Sequence, residues 1–156
     1  LLKVVELVES LSPRLTFILE TNGILIGHDP SYAEDLSALR RVHVRVSLKG
    51  ASEEEFAKLT GAVPEGFRLQ LAALEALVDA GVSCHPAVLA SFSTEESLSS
   101  LVDRLRAIDP SLASSLEVEY VILYPHVVKR LREAGLEPYV AYTPRGEVVC
   151  RAPRRG

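Results

Sequence analysis

Short apolar segments alternate along the chain with longer segments of helical spacing, and this alternation constrains the fold more than any other feature. The candidate strands cover residues 15–20, 42–48, 82–90 and 118–123. Each is followed by a segment whose apolar residues recur every three or four positions, as in an amphipathic helix. Strands and helices in repeated succession predict a parallel sheet with right-handed crossovers. We therefore expect an α/β fold, either a slice of a barrel or an open sheet.

Helix boundaries are marked by residues that favour helix starts and ends. Asp29 before Pro30, and Ser52 three residues before Glu55, are typical capping signals at helix starts. Gly81 follows the segment with the most regular amphipathic spacing, as expected for a helix end. The predicted helices are residues 1–12, 30–39, 53–59, 67–80, 94–108 and 127–134. They fall between the predicted strands, as a βα repeat requires.

Two of the predicted strands carry expectations of their own. Pro86 lies inside residues 82–90, and because proline has no backbone N–H, we expect a bulge or a sheet edge there. Residues 118–123 are nearly all apolar, which is typical of a strand covered on both faces. The third strand is therefore expected to be irregular and the fourth to be buried.

The segment after the repeats has a different pattern. Residues 138–143 and 146–151 are strand-like and are joined by Pro144-Arg145-Gly146, which predicts a hairpin. The 156 residues fit a single domain with one substantial core. We expect the βα repeats in residues 1–135 and the hairpin with a short basic tail in residues 136–156.

Charge, hydropathy and cysteine content exclude several classes of partner. The net charge of −4 gives no general attraction to nucleic acid. No apolar run approaches the roughly 20 residues that cross a bilayer. Cys84 and Cys150 are too few and too far apart in sequence to form a thiolate metal cluster by themselves. We therefore expect a cytoplasmic protein that binds neither membrane nor nucleic acid.

Polar side chains gather where the predicted strands end. Residues 42–48 alternate apolar and polar side chains and lead into Lys49 and Gly50, while residues 15–20 lead into a polar turn. In parallel α/β folds, ligands bind at the carboxyl ends of the strands. A carboxylate, an amine, hydroxyls and imidazoles around one cavity suit a small zwitterionic or phosphorylated ligand. The predicted site residues are Glu20, Thr21, Asn22, Ser47, Lys49, His85, Ser91 and His126.

Taken singly, these residues also have ordinary structural interpretations. Glu20 with the residues after it fits a strand that leads into a turn. Lys49 fits an exposed lysine beyond the end of a strand. A lone histidine near an apolar strand, such as His85 or His126, is more often part of a hydrogen-bonded structure than a ligand. His43 is expected to be an ordinary strand residue, so single residues do not decide the function.

The order of five segments carries a family resemblance. The segments are FILETNG (17–23), VRVSLKG (44–50), FAKLTGA (56–62), HPAVLASF (85–92) and EYVILYPH (119–126). In this order, with the intervening helices, they resemble the latter two-thirds of a radical S-adenosylmethionine (radical SAM) domain. The chain is most similar to the glycyl-radical-enzyme activases and related archaeal radical SAM proteins, over about residues 1–130.

The resemblance implies a partial (βα)6 barrel and a reaction at an iron–sulfur cluster. In that family a CxxxCxxC loop holds a [4Fe–4S] cluster that binds SAM and, once reduced, cleaves it to a 5′-deoxyadenosyl radical. The radical abstracts hydrogen from a substrate, which the activase likeness suggests is a glycine in a protein, although other members act on small molecules. An electron donor such as ferredoxin or flavodoxin is also implied.

The sequence lacks the cysteine loop that such a reaction needs. It also contains no methionine and begins inside an apolar helical segment without an N-cap. We therefore expect the C-terminal part of a radical SAM domain. It would supply SAM-binding strand ends only, and it would be inactive alone because a cluster needs three thiolates.

The resemblance assigns SAM contacts to three residues. Lys49 would pair with the SAM carboxylate through a charge-assisted contact. Ser47 stands where an activase has an aspartate that contacts the SAM ribose, and a serine can still donate a hydrogen bond there. His126 matches a histidine near the ribose.

Four further residues complete the implied cofactor site. Glu20 stands where the activases have an aspartate that, with the adjacent threonine, here Thr21, holds a monovalent cation near SAM. Asn22 follows them at the same strand end. His85 stands where an activase has a polar strand residue that faces the substrate. The resemblance assigns no metal ligand and no catalytic residue within this sequence.

Two other functions are compatible with the residues alone. Lys49 could be a Schiff-base or phosphate-binding lysine in part of a TIM-barrel-like aldolase or isomerase. A non-catalytic α/β binding or scaffold module is the third interpretation, and the missing cysteine loop favours it.

Overall fold

The computed structural model of the chain describes residues 2–11 and 14–150. Its strands are β1 Phe17–Thr21, β2 Val42–Leu48, β3 Cys84–Leu89, β4 Glu117–Glu119, β5 Val140–Tyr142 and β6 Val148–Cys150. Its helices are α1 Leu2–Leu11, α2 Ile24–His28, α3 Ser31–Ser37, α4 Glu53–Thr60, α5 Glu65–Asp79, α6 Glu95–Ile108, α7 Pro110–Ser114 and α8 Pro125–Glu133. The longest described helix, α5, has 15 residues, and none of the described helices has the length and apolar character needed to cross a membrane.

The strands β1 to β4 form one parallel sheet whose strand order is the same as the chain order. This confirms the α/β fold built from βα units. Right-handed crossovers between adjacent strands place their connecting helices on one side of a sheet. In agreement, α5 packs against β2 and β3, and α7 packs against β3. Among the described strands, β1 and β4 are the two edges of the sheet.

The sheet has two chemically different faces. On the face that the helices cover, Val44, Val46 and Leu48 of β2 are fully buried, as is Leu74 of α5. This is the hydrophobic core, and it accounts for the apolar half of the alternating pattern in β2. We call the opposite side the open face. It carries Glu20 of β1, His43, Arg45 and Ser47 of β2, His85 of β3, and Glu117 and Glu119 of β4.

Side-chain caps confirm two of the predicted helix starts. The Ser52 hydroxyl accepts a hydrogen bond from the backbone N–H of Glu55 at 3.2 Å, and α4 begins directly after Ser52. The Thr94 hydroxyl accepts one from the N–H of Ser97 at 3.1 Å at the start of α6. Each cap satisfies a backbone donor that the first helical turn would leave without a partner.

Helix α2 lies where the sequence pattern predicts none. It follows the turn at Gly23 and packs against α5. A β-carbon added to Gly27 would lie 1.9 Å from the carbonyl oxygen of Leu69 in α5, so only glycine permits this approach of the two backbones. Five residues are too few to show helical spacing, and α2 is held by this tertiary contact.

Pro86 lies inside β3, between β2 and β4, so the expected bulge is wrong, but among the described strands one side of β3 is an unpaired edge at this residue. The pairing with β2 continues through Pro86, opposite Val46, whereas the pairing with β4 begins only at Ala87. Because the Val44 N–H donates to the Ser83 carbonyl, alternate residues from Ser83 onwards face β2, and the backbone of Pro86 faces the other way. The missing N–H therefore lies where no described strand pairs with β3.

The expectation of a buried fourth strand at residues 118–123 is wrong. Strand β4 is the edge strand Glu117–Glu119, and its Val118 is 46% exposed. The apolar residues after it pair with β5 instead. The Leu123 N–H donates to the Tyr142 carbonyl at 2.8 Å, and the Tyr142 N–H donates to the Val121 carbonyl at 2.9 Å. The chain after β4 therefore joins the hairpin instead of continuing the parallel sheet.

The predicted C-terminal hairpin is confirmed by the antiparallel pair of β5 and β6. Its turn contains Gly146, whose φ of +84° favours glycine. The predicted end of the second hairpin strand at Arg151, and the basic tail with Arg154 and Arg155, lie outside the described residues. So do Leu1 and Ser12, the two ends of the first predicted helix.

Candidate functional site

The polar network on the open face is centred on Arg45. Its side chain is 12% exposed and forms ion pairs with Glu117 at 2.9 Å, Glu119 at 2.6 Å and Glu20 at 3.5 Å. The hydrogen bond with Glu117 is the main cause that raises the pKa of Arg45 above its usual range. The same bond, with a second one from His85, lowers the pKa of Glu117 to about 2. The guanidinium of Arg45 and the carboxylate of Glu117 are therefore both charged at neutral pH.

Strand β3 lies between Arg45 and β4, and its residue beside Glu117 is small. Ala87 of β3 lies beside Ser47 on one side and Glu117 on the other. Its methyl group is fully buried on the same face as Arg45. Neighbouring strands lie about 4.8 Å apart, so the arginine has to extend across β3 to meet β4. A larger residue in place of Ala87 would block this path.

A chain of side-chain hydrogen bonds continues the network towards the amino ends of the strands. His85 Nε2 lies 3.2 Å from a Glu117 carboxylate oxygen, and His85 Nδ1 lies 2.6 Å from His43 Nε2. His43 Nδ1 lies 2.7 Å from the Ser83 hydroxyl. Burial, followed by the nearby His85, lowers the pKa of His43. His43 is thus neutral at pH 7, and it is part of the network rather than an ordinary strand residue.

The predicted residues at the end of β1 mainly shape a turn. The Thr21 hydroxyl accepts a hydrogen bond from the Gly23 N–H, and the Asn22 side-chain oxygen accepts one from the Ile24 N–H, both at 3.1 Å. These contacts direct the chain from β1 into α2. Glu20 differs from them because it lies on the open face beside Arg45.

Ser47 and Lys49 lie together at the carboxyl end of β2, as the alternating pattern indicates. Ser47 is the last but one residue of β2, and Lys49 follows the strand directly. Lys49 is partly buried, and its amine forms neither a hydrogen bond nor an ion pair within residues 2–11 and 14–150. Arg45 on the same strand has three carboxylate partners, so Lys49 is the cation that remains available to a ligand.

The structure does not bring the two predicted histidines to this strand end. His85 is the second residue of β3 and lies opposite Arg45, below the end of the sheet. His126 is exposed in the first turn of α8, and its ring stacks on that of Tyr124 with centroids 5.8 Å apart. The residues that do lie at adjoining strand ends are Glu20, Thr21, Asn22, Ser47 and Lys49.

Side chains tie each pair of neighbouring strand ends together, and we call these contacts the strand-end braces. Gln70 of α5 donates hydrogen bonds to the carbonyl oxygens of Asn22 after β1 and Ser47 in β2. The Glu55 carboxylate accepts one from the Ala51 N–H after β2 and one from the Ser93 hydroxyl after β3.

The third brace joins the ends of β3 and β4. The buried Ser91 hydroxyl accepts a hydrogen bond from the Val121 N–H at 2.8 Å, and the Ser91 carbonyl accepts one from the Tyr139 N–H at 2.7 Å. The hydroxyl and the carbonyl of Ser91, a predicted site residue, thus both accept hydrogen bonds within the fold. Ser91 therefore has a structural role.

Two sequence signals could have identified residues that the motifs leave out. Arg45 and His43 share the polar half of the alternating β2 pattern with Ser47, so a common face follows from strand geometry. Gln70 interrupts the apolar stripe of α5, and a polar residue at such a position is expected to have a buried hydrogen-bond partner.

The described residues do not fit a [4Fe–4S] cluster. Cys84 of β3 has its pKa raised to about 11, mainly by burial, and Cys150 lies exposed in β6. Among the described residues, no group of three or more histidine, cysteine, aspartate and glutamate side chains could hold a metal ion. A cluster needs three thiolates, whereas the sequence has two cysteines.

Comparison with known proteins identifies no relative: no family model, curated protein or solved structure matches the chain.

Proposed function

We propose that this chain binds S-adenosylmethionine at the carboxyl ends of β1 and β2, as part of a radical SAM enzyme. The observation that carries the proposal is the availability of Lys49. It is a partly buried amine without a partner among the described residues, two residues after Ser47 and three residues beyond Val46, which pairs with the last residue of β1. An unpaired, partly desolvated amine is favourable for a ligand carboxylate.

The other strand-end residues suit the remaining groups of the ligand. The Ser47 hydroxyl lies two residues before Lys49 and would hydrogen-bond the ribose. Glu20 lies at the neighbouring strand end and would be the carboxylate nearest a bound cation, whereas the Thr21 and Asn22 side-chain oxygens accept hydrogen bonds within the turn. In this proposal the chain binds and orients SAM, and the substrate is a protein glycine or a small molecule. Because the described residues hold no cluster ligands, no cleavage step is assigned to them.

The sequence order of the βα units supports a barrel of the radical SAM type. A parallel sheet in chain order, with helices on one side, has the arrangement of consecutive strands in a β/α barrel. The five ordered segments that resemble the family lie on β1, β2, α4, β3 and the β4 region of this sheet. The strand order of the sheet and the amine of Lys49, which has no partner among the described residues, together support the proposal.

Calorimetric titration of the chain with SAM tests the proposal through Lys49→Ala. We expect at least a tenfold loss of affinity, because a charge-assisted contact contributes about 1.5–3 kcal/mol. Lys58→Ala removes an exposed lysine of α4 and serves as the matched control with unchanged affinity. The wild type should bind decarboxylated SAM more weakly than SAM. Lys49→Ala should bind the two compounds with equal affinity.

Two outcomes would contradict this assignment. Equal affinity of Lys49→Ala and the wild type for SAM would remove Lys49 from the site. Borohydride trapping of a carbonyl substrate on Lys49, without SAM binding, would favour the aldolase or isomerase instead.

A further inference from the structure

Gln70 makes an unusual set of contacts beneath the proposed site. Its side chain is fully buried, and its amide nitrogen donates to the carbonyl oxygens of Asn22 at 2.8 Å and Ser47 at 2.9 Å. Because both partners are acceptors, the amide nitrogen must face them. The Gln70 side-chain oxygen is then left buried with no hydrogen-bond partner among the described residues. Such an arrangement costs free energy, so it calls for a compensating role.

The contact with Ser47 replaces a hydrogen bond that the sheet would otherwise make. At the start of the β1–β2 ladder, the Phe17 N–H donates to the Arg41 carbonyl at 2.7 Å. A parallel ladder advances two residues on each strand per step. Continued in this register, the ladder would pair the Gly23 N–H with the Ser47 carbonyl.

The chain turns away before that step is reached. The Gly23 N–H donates to the Thr21 hydroxyl instead, and the backbone of Gly23 adopts φ +75° as it enters α2. The Ser47 carbonyl would be left without its ladder partner. The Gln70 side-chain amide supplies the missing donor to the Ser47 carbonyl. Its second N–H donates to the Asn22 carbonyl, so one amide group holds both strand ends.

We propose that Gln70 is a positioning residue that sets the separation and alignment of the β1 and β2 ends, and through them the affinity for SAM. It acts only through the backbones of Asn22 and Ser47, and it does not reach the ligand. The second part of this inference rests on the proposed function. The first part, the fixing of the two strand ends, does not.

Gln70→Leu and Gln70→Glu separate this role from simple packing. Leucine keeps an apolar side chain of similar volume and removes both donors. Glutamate keeps the shape but offers acceptors to two carbonyl oxygens unless it is protonated. Leu77→Ala is the matched control, because Leu77 is fully buried in the same helix about two turns beyond Gln70, and its truncation makes a cavity away from the strand ends.

Hydrogen exchange tests the positioning without any ligand. In Gln70→Leu, amides in residues 22–27 and 47–51 should exchange roughly tenfold faster than in the wild type, because the ends of β1 and β2 lose their shared anchor. Leu77→Ala should not accelerate these amides selectively. If the amides at both strand ends of folded Gln70→Leu exchange at the wild-type rate, the inference is overturned.

Calorimetry with SAM then tests the link to the ligand. Gln70→Leu should bind SAM roughly tenfold more weakly, and Gln70→Glu should be weak at pH 8 but recover towards pH 6. Burial beside two carbonyls raises the pKa of the new carboxyl, and its protonated form regains one donor. A pH profile of Gln70→Glu parallel to that of the wild type would contradict the link. If the wild type binds no SAM, the proposed function fails, while the exchange rates still decide the positioning role.

Discussion

The two faces of the parallel sheet differ in polarity, although side chains of the same strand, β2, lie on both. On the covered face of β2, Val44, Val46 and Leu48 are 0% exposed. One residue along, the Arg45 side chain on the open face is 12% exposed and is held by carboxylates of β1 and β4. The covered face gains its free energy from apolar burial, which is not directional. The open face has directional contacts that are sensitive to where each strand lies.

The two faces contribute differently to the stability of the sheet and to the alignment of its strands. The glutamate partners of Arg45 have side chains between 36% and 67% exposed, and ion pairs with exposed partners contribute little net stability. They do, however, connect β2 with both edge strands of the sheet. We infer that the core holds the sheet together, whereas the Arg45 network specifies how the strands are arranged within it.

The largest expected effect comes from the covered face. Leu48→Ala should lower the free energy of unfolding by about 2–5 kcal/mol, because it removes buried methyl groups and leaves a cavity. Urea denaturation measures this change. The control is Leu25→Ala in α2, whose leucine is 68% exposed and should change stability by less than about 0.5 kcal/mol. Similar losses in both variants would show that the covered face is not the main source of stability.

An intermediate effect is expected on the open face. Arg45→Met should lower the free energy of unfolding by about 1–3 kcal/mol, since it leaves three carboxylates close together without their cation. Arg106→Met, which removes an exposed ion pair with Asp103, should cost less than about 0.5 kcal/mol in the same urea experiment. If the two arginine variants are equally stable, the Arg45 network contributes no more to stability than a single exposed ion pair does.

The smallest effect concerns the pH dependence of one carboxylate. Glu117 has a pKa of about 2 in the folded chain, below the ordinary 4.5, so its contribution to stability is complete above pH 4.5 and is lost as the pH falls towards 2. Glu117→Gln should therefore flatten the decline of stability in this range. The exposed Glu75 of α5 provides the control Glu75→Gln. Carbon-13 NMR titration of the Glu117 carboxyl checks the pKa directly, and a midpoint near 4.5 would contradict the ion pair.

Local patterns predicted the elements whose signals lie within a few residues. Strand β2 follows from its alternation, and α4 and α6 follow from capping residues that make the expected hydrogen bonds. The parallel order of the sheet follows from the repeat itself. The placement of Ser47 and Lys49 at one strand end also needed no tertiary information.

Features that depend on distant residues could not be predicted in this way. Arg45 and Glu117 are 72 residues apart in sequence, and no local spacing relates them. The position of Pro86 inside β3 depends on where the pairing with β4 begins. His85 is displaced from the proposed site by the register of β3 against β2, which the sequence pattern leaves undetermined.

The agreement between strand order and chain order also permits the sheet to form one strand at a time during synthesis. Each strand of the sheet can pair with the strand made just before it, so neighbours never wait for a distant segment. Arg45 is the exception, because two of its three carboxylate partners are on β4 and emerge from the ribosome last within the sheet. Until β4 is made, the guanidinium of Arg45 has only Glu20 of the three carboxylates beside it. The docking of β4 thus brings in two of the three carboxylates that hold the guanidinium of Arg45.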